Sequence, residues 1–177
     1  MFGMTKRGKT TLGHYFVGEP LEGVNNKGAF YYKAKYSKDV YKKATIGHTA
    51  NSETLIPNFF YPSSSIIGKI QKLVIIDSPG FQNTYGCLRT ILSAFSNYRV
   101  FSKVRKMKFV LIVQKSDMEG DISGLIKTFK AFFDNFKDIE KYPEDIINAA
   151  SFVITKHTGT VEDSVSRIEA ILAELQP

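Results

Sequence analysis

A glycine-rich segment at the N-terminus constrains this chain more than any other feature. Residues 3–10 read G-M-T-K-R-G-K-T, a complete match to the pattern G-x-x-x-x-G-K-[ST]. Its two glycines permit a tight turn whose backbone N–H groups approach phosphate oxygens, and a helix beginning near Gly8 directs its positive end at them. Lys9 supplies a counter-charge, and the Thr10 hydroxyl is a ligand for Mg²⁺. The segment predicts binding of a nucleoside triphosphate with magnesium.

Length, charge and cysteine content narrow the class of protein. The 177 residues suffice for one domain, and the single cysteine, Cys87, excludes an internal disulfide and fits a reducing compartment. No apolar run approaches the roughly 20 residues that span a bilayer. We therefore expect a cytoplasmic protein, for which peripheral membrane association stays open. The net charge of +7 comes without a recognisable nucleic-acid module, and we interpret it as the flank of a polyanion site.

Hydrophobic periodicity along the chain predicts strands that alternate with helices. Short apolar runs at 54–61, 70–76, 109–113 and 150–155 are typical of strands, and 3.6-residue periodicity predicts helices near 88–95, 122–136 and 161–175. This order favours an α/β fold, specifically a three-layer P-loop sheet that is mostly parallel with one antiparallel strand.

A second motif follows the run at 70–76. Residues 77–80 read D-S-P-G, which places a carboxylate at the end of a strand and a glycine three residues later. A carboxylate beside a phosphate loop holds magnesium directly or through water, and the Gly80 N–H can contact a γ-phosphate. Because the two motifs occur in this order, the D-S-P-G segment strengthens the prediction of nucleotide binding.

Three motifs together carry a family resemblance. G-M-T-K-R-G-K-T, I-D-S-P-G-F and V-I-T-K follow one another over nearly the whole chain. They resemble the P-loop GTPases of the translation-factor-related class, in the septin-like and immunity-associated branch. In that family the phosphate loop follows a central strand, yet only Met1 and Phe2 precede Gly3 here, and the last strand has no counterpart after Leu175. We therefore expect one incomplete G domain over residues 1–177, truncated at both ends.

The resemblance implies GTP and Mg²⁺ as ligands, a nucleotide-dependent switch and slow GTP hydrolysis. It also implies effector proteins and a homodimer formed through the nucleotide-binding face. The nucleotide would be held by Gly3, Met4, Thr5, Lys6, Arg7, Gly8, Lys9, Thr10, Thr11, Gly80, Thr155 and Lys156. The metal would be held by Thr10, Thr54 and Asp77, with Thr49 and Thr45 as alternatives to Thr54.

Two segments compete for the base-reading role that the family assigns to N-K-x-D or T-K-x-D. Residues 114–117 read Q-K-S-D and contain the aspartate, whereas residues 155–158 read T-K-H-T at what we count as the correct strand end. We favour Thr155 and Lys156. Because Thr158 replaces the aspartate there, selection of guanine over adenine stays open.

Neither turnover nor catalytic residues can be assigned from these motifs. Phe81 and then Gln82 follow Gly80, and His14 is expected to be a surface residue, as are the tips of Lys6 and Arg7. Two other functions therefore stay open. One is an interaction domain that retains the fold without binding nucleotide, and the other is a P-loop protein that binds ATP.

Overall fold

The computed structural model describes residues 1–26, 29–34, 44, 46, 54–62, 73–80, 86–119, 122–136, 141–157, 159–160, 162–163, 165–166 and 169–170. The helices in these ranges are α1 (Lys9–Phe16), α2 (Cys87–Phe101), α3 (Ser123–Asp134) and α4 (Pro143–Ala149). The strands are β1 (Leu21–Asn26), β2 (Ala29–Ala34), β3 (Asn58–Phe60), β4 (Ile75–Asp77), β5 (Phe109–Gln114) and β6 (Ala150–Thr155). A short 3₁₀ turn, Lys115–Asp117, follows β5.

The strands pair as three two-stranded ladders. β1 and β2 are antiparallel, with Leu21 opposite Ala34, and β3 and β4 are antiparallel, with Asn58 opposite Asp77. β5 and β6 are parallel over their whole length, from Phe109 to Gln114. A parallel pair needs a crossover between its strands, and α3 and α4 lie in the connection from β5 to β6.

Met1 and Phe2 lie between two of these ladders and hydrogen-bond to both. The Met1 amino group donates to the Ile76 carbonyl oxygen at 2.6 Å, and Ser78 N–H donates to the Met1 carbonyl oxygen at 3.3 Å. On the other side, Phe2 N–H donates to Val110 O at 2.8 Å, while Phe2 O accepts from Ile112 N–H at 2.7 Å. Both sets have the pattern of parallel strands. Two residues therefore occupy the position between β4 and β5 from which the phosphate loop leaves.

The core beside this position is built from phenylalanine rings. Phe2 and Phe132 of α3 are almost completely buried, and their ring centroids lie 5.9 Å apart with an edge-to-face orientation. Phe109 contacts both of them, at 5.8 Å from Phe2 and 5.2 Å from Phe132. Leu111 joins the same buried cluster. This apolar burial fixes β5, α3 and the residues that precede the phosphate loop relative to one another.

The strand predictions agree with the structure at β5 and β6 within one residue. At the other end of the chain, the apolar run at 70–76 forms a strand only over Ile75–Asp77 among the described residues, and β3 is shorter than the run at 54–61. Much of the expected closing helix lies outside the described residues. The described strands form separate ladders, and a three-layer P-loop sheet stays a prediction. Within the described ranges, no helix has the length and hydropathy needed to cross a membrane.

Candidate functional site

Glycine is required at both glycine positions of the 3–10 loop pattern. Gly3 has φ of 153°, and a Cβ at this position would lie 2.4 Å from the Ile112 carbonyl oxygen, so that any side chain would collide with backbone. Gly8 has φ of 86° and is the N-cap of α1, where its carbonyl accepts from Leu12 N–H at 2.9 Å. The left-handed backbone at Gly8 turns the chain directly into the helix. α1 therefore begins directly after the loop, where the sequence predicted a helix.

The loop curls around the side chain of Lys9, which is only 6% exposed. Its Nζ donates to the carbonyl oxygens of Gly3 at 3.1 Å and Met4 at 2.9 Å. Burial disfavours the charged form and lowers the pKa of Lys9 to about 8, although the nearby Asp77 carboxylate acts in the opposite direction. Among the described residues, the partners of this cation are two neutral carbonyl oxygens and one neighbouring carboxylate.

The three residues predicted to hold a metal meet at the start of α1. Thr10 Oγ1 donates to Asp77 Oδ2 at 2.7 Å, and Thr54 Oγ1 donates to the same oxygen at 3.4 Å. The two threonine hydroxyl oxygens are themselves 3.4 Å apart. Asn58 Nδ2 also donates to Asp77 Oδ2, at 3.3 Å. The structure therefore brings together oxygens from three segments that are far apart in sequence. Thr45 and Thr49, the alternatives to Thr54, lie outside the described residues.

The donor set at this point fits Mg²⁺. Asp77 is fully buried, and its second oxygen, Oδ1, has no hydrogen-bond partner among the described residues. A buried carboxylate oxygen without a partner is costly unless a ligand satisfies it. One carboxylate with two hydroxyl groups is an all-oxygen set of the kind that a hard cation takes together with water and phosphate. Elsewhere in the described ranges, no group of three or more His, Cys, Asp and Glu residues could hold a metal.

Gly80 packs directly against the loop. A Cβ at Gly80 would lie 2.6 Å from Thr5 Oγ1 and 2.8 Å from the Thr5 backbone nitrogen. Thr5 is half-buried, Lys6 beside it is exposed with φ of 66°, and Thr11 lies in the first turn of α1. The 77–80 turn therefore forms one wall of the phosphate-loop region, and only glycine fits at its end.

Thr155 and Lys156, the residues favoured for base recognition, also lie beside the loop. Thr155 Oγ1 donates to the Arg7 carbonyl oxygen at 2.7 Å, which ties the end of β6 to the loop. Lys156 has φ of 53°, and its pKa is lowered by burial first and then by the positive charges of Arg7 and Lys6. The end of β6 therefore adds to the positive charge around the loop. Thr158 lies outside the described residues.

The aspartate of the Q-K-S-D segment, the alternative candidate for base recognition, forms contacts within the protein. Asp117 is 4% exposed, and its Oδ1 forms a 2.6 Å ion pair with Arg7 Nη2. Its Oδ2 accepts from the backbone N–H of Gln114 at 3.0 Å. Because both carboxylate oxygens are engaged inside the protein, Asp117 supports the loop rather than facing a base. The expectation that the Arg7 tip faces solvent is wrong, because Arg7 Nη2 pairs with the buried Asp117 carboxylate. The sequence does not indicate this contact, because the two residues are 110 positions apart.

The expectation for His14 is also wrong. Its side chain is 1% exposed and lies edge-to-face with the Phe60 ring, at 5.1 Å between centroids. Nδ1 is 3.2 Å from Glu19 Oε2, and Nε2 is 2.7 Å from the Ala44 carbonyl oxygen. A carbonyl oxygen can only accept, so Nε2 carries a proton. His14 therefore joins α1 to two other segments as a structural residue.

Comparison of the chain with protein-family models, with curated proteins and with solved structures gives no match. The functional interpretation therefore depends on the geometry of the 3–10 loop, the 77–80 turn and the end of β6.

Proposed function

We propose that this protein binds GTP together with Mg²⁺ at the 3–10 loop and acts as a nucleotide-dependent switch. One observation carries the proposal. Oxygens of Thr10, Thr54 and Asp77 meet within 2.7–3.4 Å at the N-terminus of α1, beside the buried amine of Lys9. A triphosphate with its metal needs these elements in one place, namely a helix N-terminus, a lysine and oxygen ligands.

The charges around the loop support a polyanionic ligand. Lys9 is buried, and the pKa of Lys156 is lowered by burial first and then by the charges of Arg7 and Lys6. The buried Arg7 Nε has no hydrogen-bond partner among the described residues. Phosphate oxygens would neutralise this crowding of cations and would accept hydrogen bonds from them. In this proposal, Lys9 Nζ exchanges the carbonyls of Gly3 and Met4 for phosphate oxygens. The loop backbone supplies the remaining donors.

Thr10 and Asp77 hold the metal on the protein side, and Thr54 adds the conformational response. Bound Mg²⁺ neutralises phosphate charge and bridges phosphate oxygens. Thr54 is in contact with this cluster, although it belongs to the segment leading into β3 rather than to α1 or β4. A segment whose hydroxyl engages the metal and γ-phosphate is ordered by triphosphate and released when the γ-phosphate leaves. The Thr54 segment is therefore the moving part of the proposed switch.

Guanine as the base and slow hydrolysis are parts of the proposal that come from the family resemblance alone. Thr155 contributes by holding Arg7, and hence the loop, through a 2.7 Å hydrogen bond. The same resemblance leads us to propose effector proteins and a homodimer formed through the nucleotide face. The single cysteine leads us to propose a cytoplasmic location. ATP binding and a nucleotide-free interaction domain are the competing functions.

Competition between nucleotides tests this proposal. A fluorescent GTP analogue is bound to the purified chain at fixed Mg²⁺ and displaced by GTP or ATP, in the wild type and in Lys9→Ala. We expect GTP to compete more strongly than ATP, and we expect Lys9→Ala to weaken binding roughly 10- to 100-fold because charged hydrogen bonds are lost. Lys127→Ala, which removes an exposed lysine of α3, is the matched control and should bind like the wild type.

The outcomes separate the competing functions. If ATP and GTP displace the fluorescent analogue equally well, the protein has a nucleotide site that does not select guanine. A chain that is folded by circular dichroism and binds neither nucleotide would instead favour the interaction domain. If Lys9→Ala binds the nucleotide as tightly as Lys127→Ala does, the 3–10 loop is not part of the nucleotide site.

A further inference from the structure

The outward face of α2 is apolar, which is the reverse of an ordinary surface helix. Five side chains along this face are exposed, and three of them are Leu88 at 80%, Phe95 at 55% and Tyr98 at 70%. At 100° per residue the five lie within an arc of about 120° on one side of the helix. We refer to them as the α2 ridge, which consists of Leu88, Ile91, Leu92, Phe95 and Tyr98.

The opposite face of α2, which contacts the protein, carries polar groups. Ser93 is buried, and its Oγ donates to the Leu55 carbonyl oxygen at 3.2 Å. The Oδ1 atom of Asn97, one turn later, is also buried. Phe101, the last residue of α2, packs against the Phe2 ring at 5.6 Å between centroids and joins the helix to the core. The five side chains of the ridge lie on the other side of the helix and are exposed. A contiguous apolar face of this kind marks an interaction surface.

Positive charge surrounds the C-terminal end of the ridge. The sequence contains no Asp or Glu between Asp77 and Asp117. In the same interval Arg99 lies over the Phe95 ring, 5.9 Å from its centroid, and exposed Lys103, Arg105 and Lys106 follow the helix. A segment that combines exposed apolar side chains with cations and has no carboxylate of its own is complementary to an apolar layer that carries negative charge on its surface.

We propose that the α2 ridge inserts into the headgroup region of an anionic lipid bilayer, with Arg99, Lys103, Arg105 and Lys106 contacting lipid phosphates. The helix then lies in the plane of the bilayer surface, and the rest of the molecule stays in water. Charge argues against a second copy as the occupant, because the segment 78–116 of a second copy carries no carboxylate that could pair with these cations. Shape argues against a helical peptide, since such peptides dock into grooves and the ridge is the convex face of one helix.

The absence of tryptophan from the sequence makes a site-specific test possible. Leu88→Trp places the only tryptophan on the ridge, and Tyr142→Trp places it at an exposed aromatic position at the start of α4. Each full-length variant is mixed with phosphatidylcholine vesicles or with vesicles containing about one third phosphatidylserine. We expect the emission of Leu88→Trp to move to shorter wavelength with anionic vesicles only, while that of Tyr142→Trp stays unchanged.

Two further variants separate the apolar and electrostatic parts of the contact. Leu92→Gln with Phe95→Gln, made in the Leu88→Trp background, should weaken vesicle binding about tenfold or more because apolar area is lost. Arg105→Glu with Lys106→Glu should weaken binding to anionic vesicles and remove part of its salt dependence. All four positions are exposed, so circular dichroism spectra should match the parent.

Several results would overturn the proposal. These are an unchanged Leu88→Trp spectrum with anionic vesicles, an equal response with neutral vesicles, and an equal response from Tyr142→Trp. Vesicle binding that persists in both double variants would also overturn it. If the chain binds an acidic peptide and does not bind vesicles, the ridge is a contact surface for a protein partner instead.

Discussion

The phosphate-loop region and the α2 ridge depart from the usual distribution of side chains in opposite directions. Around the loop, polar and charged groups are buried, including Lys9, Asp77 and Asp117. On α2, leucine, isoleucine and aromatic side chains are exposed to water. Buried polar groups and exposed apolar groups are the informative exceptions to the rule that apolar residues lie inside. Both carry a free-energy cost in the isolated chain.

The two costs have different chemical origins and therefore point to different partners. Burying Lys9 and leaving Asp77 Oδ1 without a partner among the described residues costs desolvation energy, which phosphate and a cation can offset. Exposing the α2 ridge costs hydrophobic free energy, which only an apolar environment can offset. The comparison separates a site for a polar ligand from a surface for an apolar one.

The largest expected effect compares two phenylalanines that are similar in sequence context and opposite in exposure. Phe132→Ala removes a ring that is 1% exposed, and we expect it to lower the free energy of unfolding by about 3–5 kcal/mol. Phe95→Ala removes an exposed ring of the ridge and should change the free energy of unfolding by less than about 0.5 kcal/mol. Urea unfolding followed by circular dichroism measures both. Equal losses would mean that the ridge is part of the core.

The next effect concerns the buried polar network behind the loop. Asp117→Ala leaves Arg7 without its carboxylate and Gln114 N–H without its acceptor, and we expect a loss of about 2–3 kcal/mol of unfolding free energy. The figure is lower than for a fully buried pair because Arg7 is partly exposed to solvent. Asp134→Ala, which removes an exposed carboxylate of α3, should be near neutral in the same experiment. If the two variants are equally stable, the Arg7–Asp117 pair does not form in solution.

The smallest effect is a pH dependence that comes from Lys9. Its pKa is about 8 in the folded chain and 10.5 when unperturbed, so between these values the unfolded state binds more protons. The free energy of unfolding should therefore rise with pH through this window, by about 2 kcal/mol between pH 7 and pH 9.5. The measurement is the difference between wild type and Lys9→Met, without nucleotide and with chelator. A difference that does not change with pH would mean that Lys9 is solvated.

The sequence predicted the local elements of the site and missed the contacts that depend on the fold. The 3–10 loop, the 77–80 turn and the strand ends at Gln114 and Thr155 follow from glycine positions, hydrophobic runs and turn residues. The ion pair of Arg7 with Asp117 and the burial of His14 against Glu19 and Ala44 could not be read in the same way. No local pattern specifies a contact between residues that are far apart in sequence.

α2 illustrates a second limit of sequence reasoning. The spacing of Leu88, Ile91, Leu92 and Phe95 predicted a helix, and a helix forms there. Periodicity shows that one face of a helix is apolar, but it does not show whether that face packs against the same chain. In this protein Ser93 faces Leu55 and Phe101 packs against Phe2, while the side chains of the α2 ridge are exposed, and only the three-dimensional arrangement reveals this.

The proposed function requires Thr10, Thr54 and Asp77 to form the magnesium site of a bound nucleotide. Calorimetry tests this requirement by titrating GTP into wild type and Asp77→Asn. Each titration is made once with Mg²⁺ and once with excess chelator, and Asp134→Asn is the matched control. We predict that chelation weakens binding to wild type and Asp134→Asn by about tenfold or more, and that it leaves the weaker binding of Asp77→Asn almost unchanged. GTP binding to the wild type that is the same with and without Mg²⁺, or no binding by the folded wild type, would contradict the account.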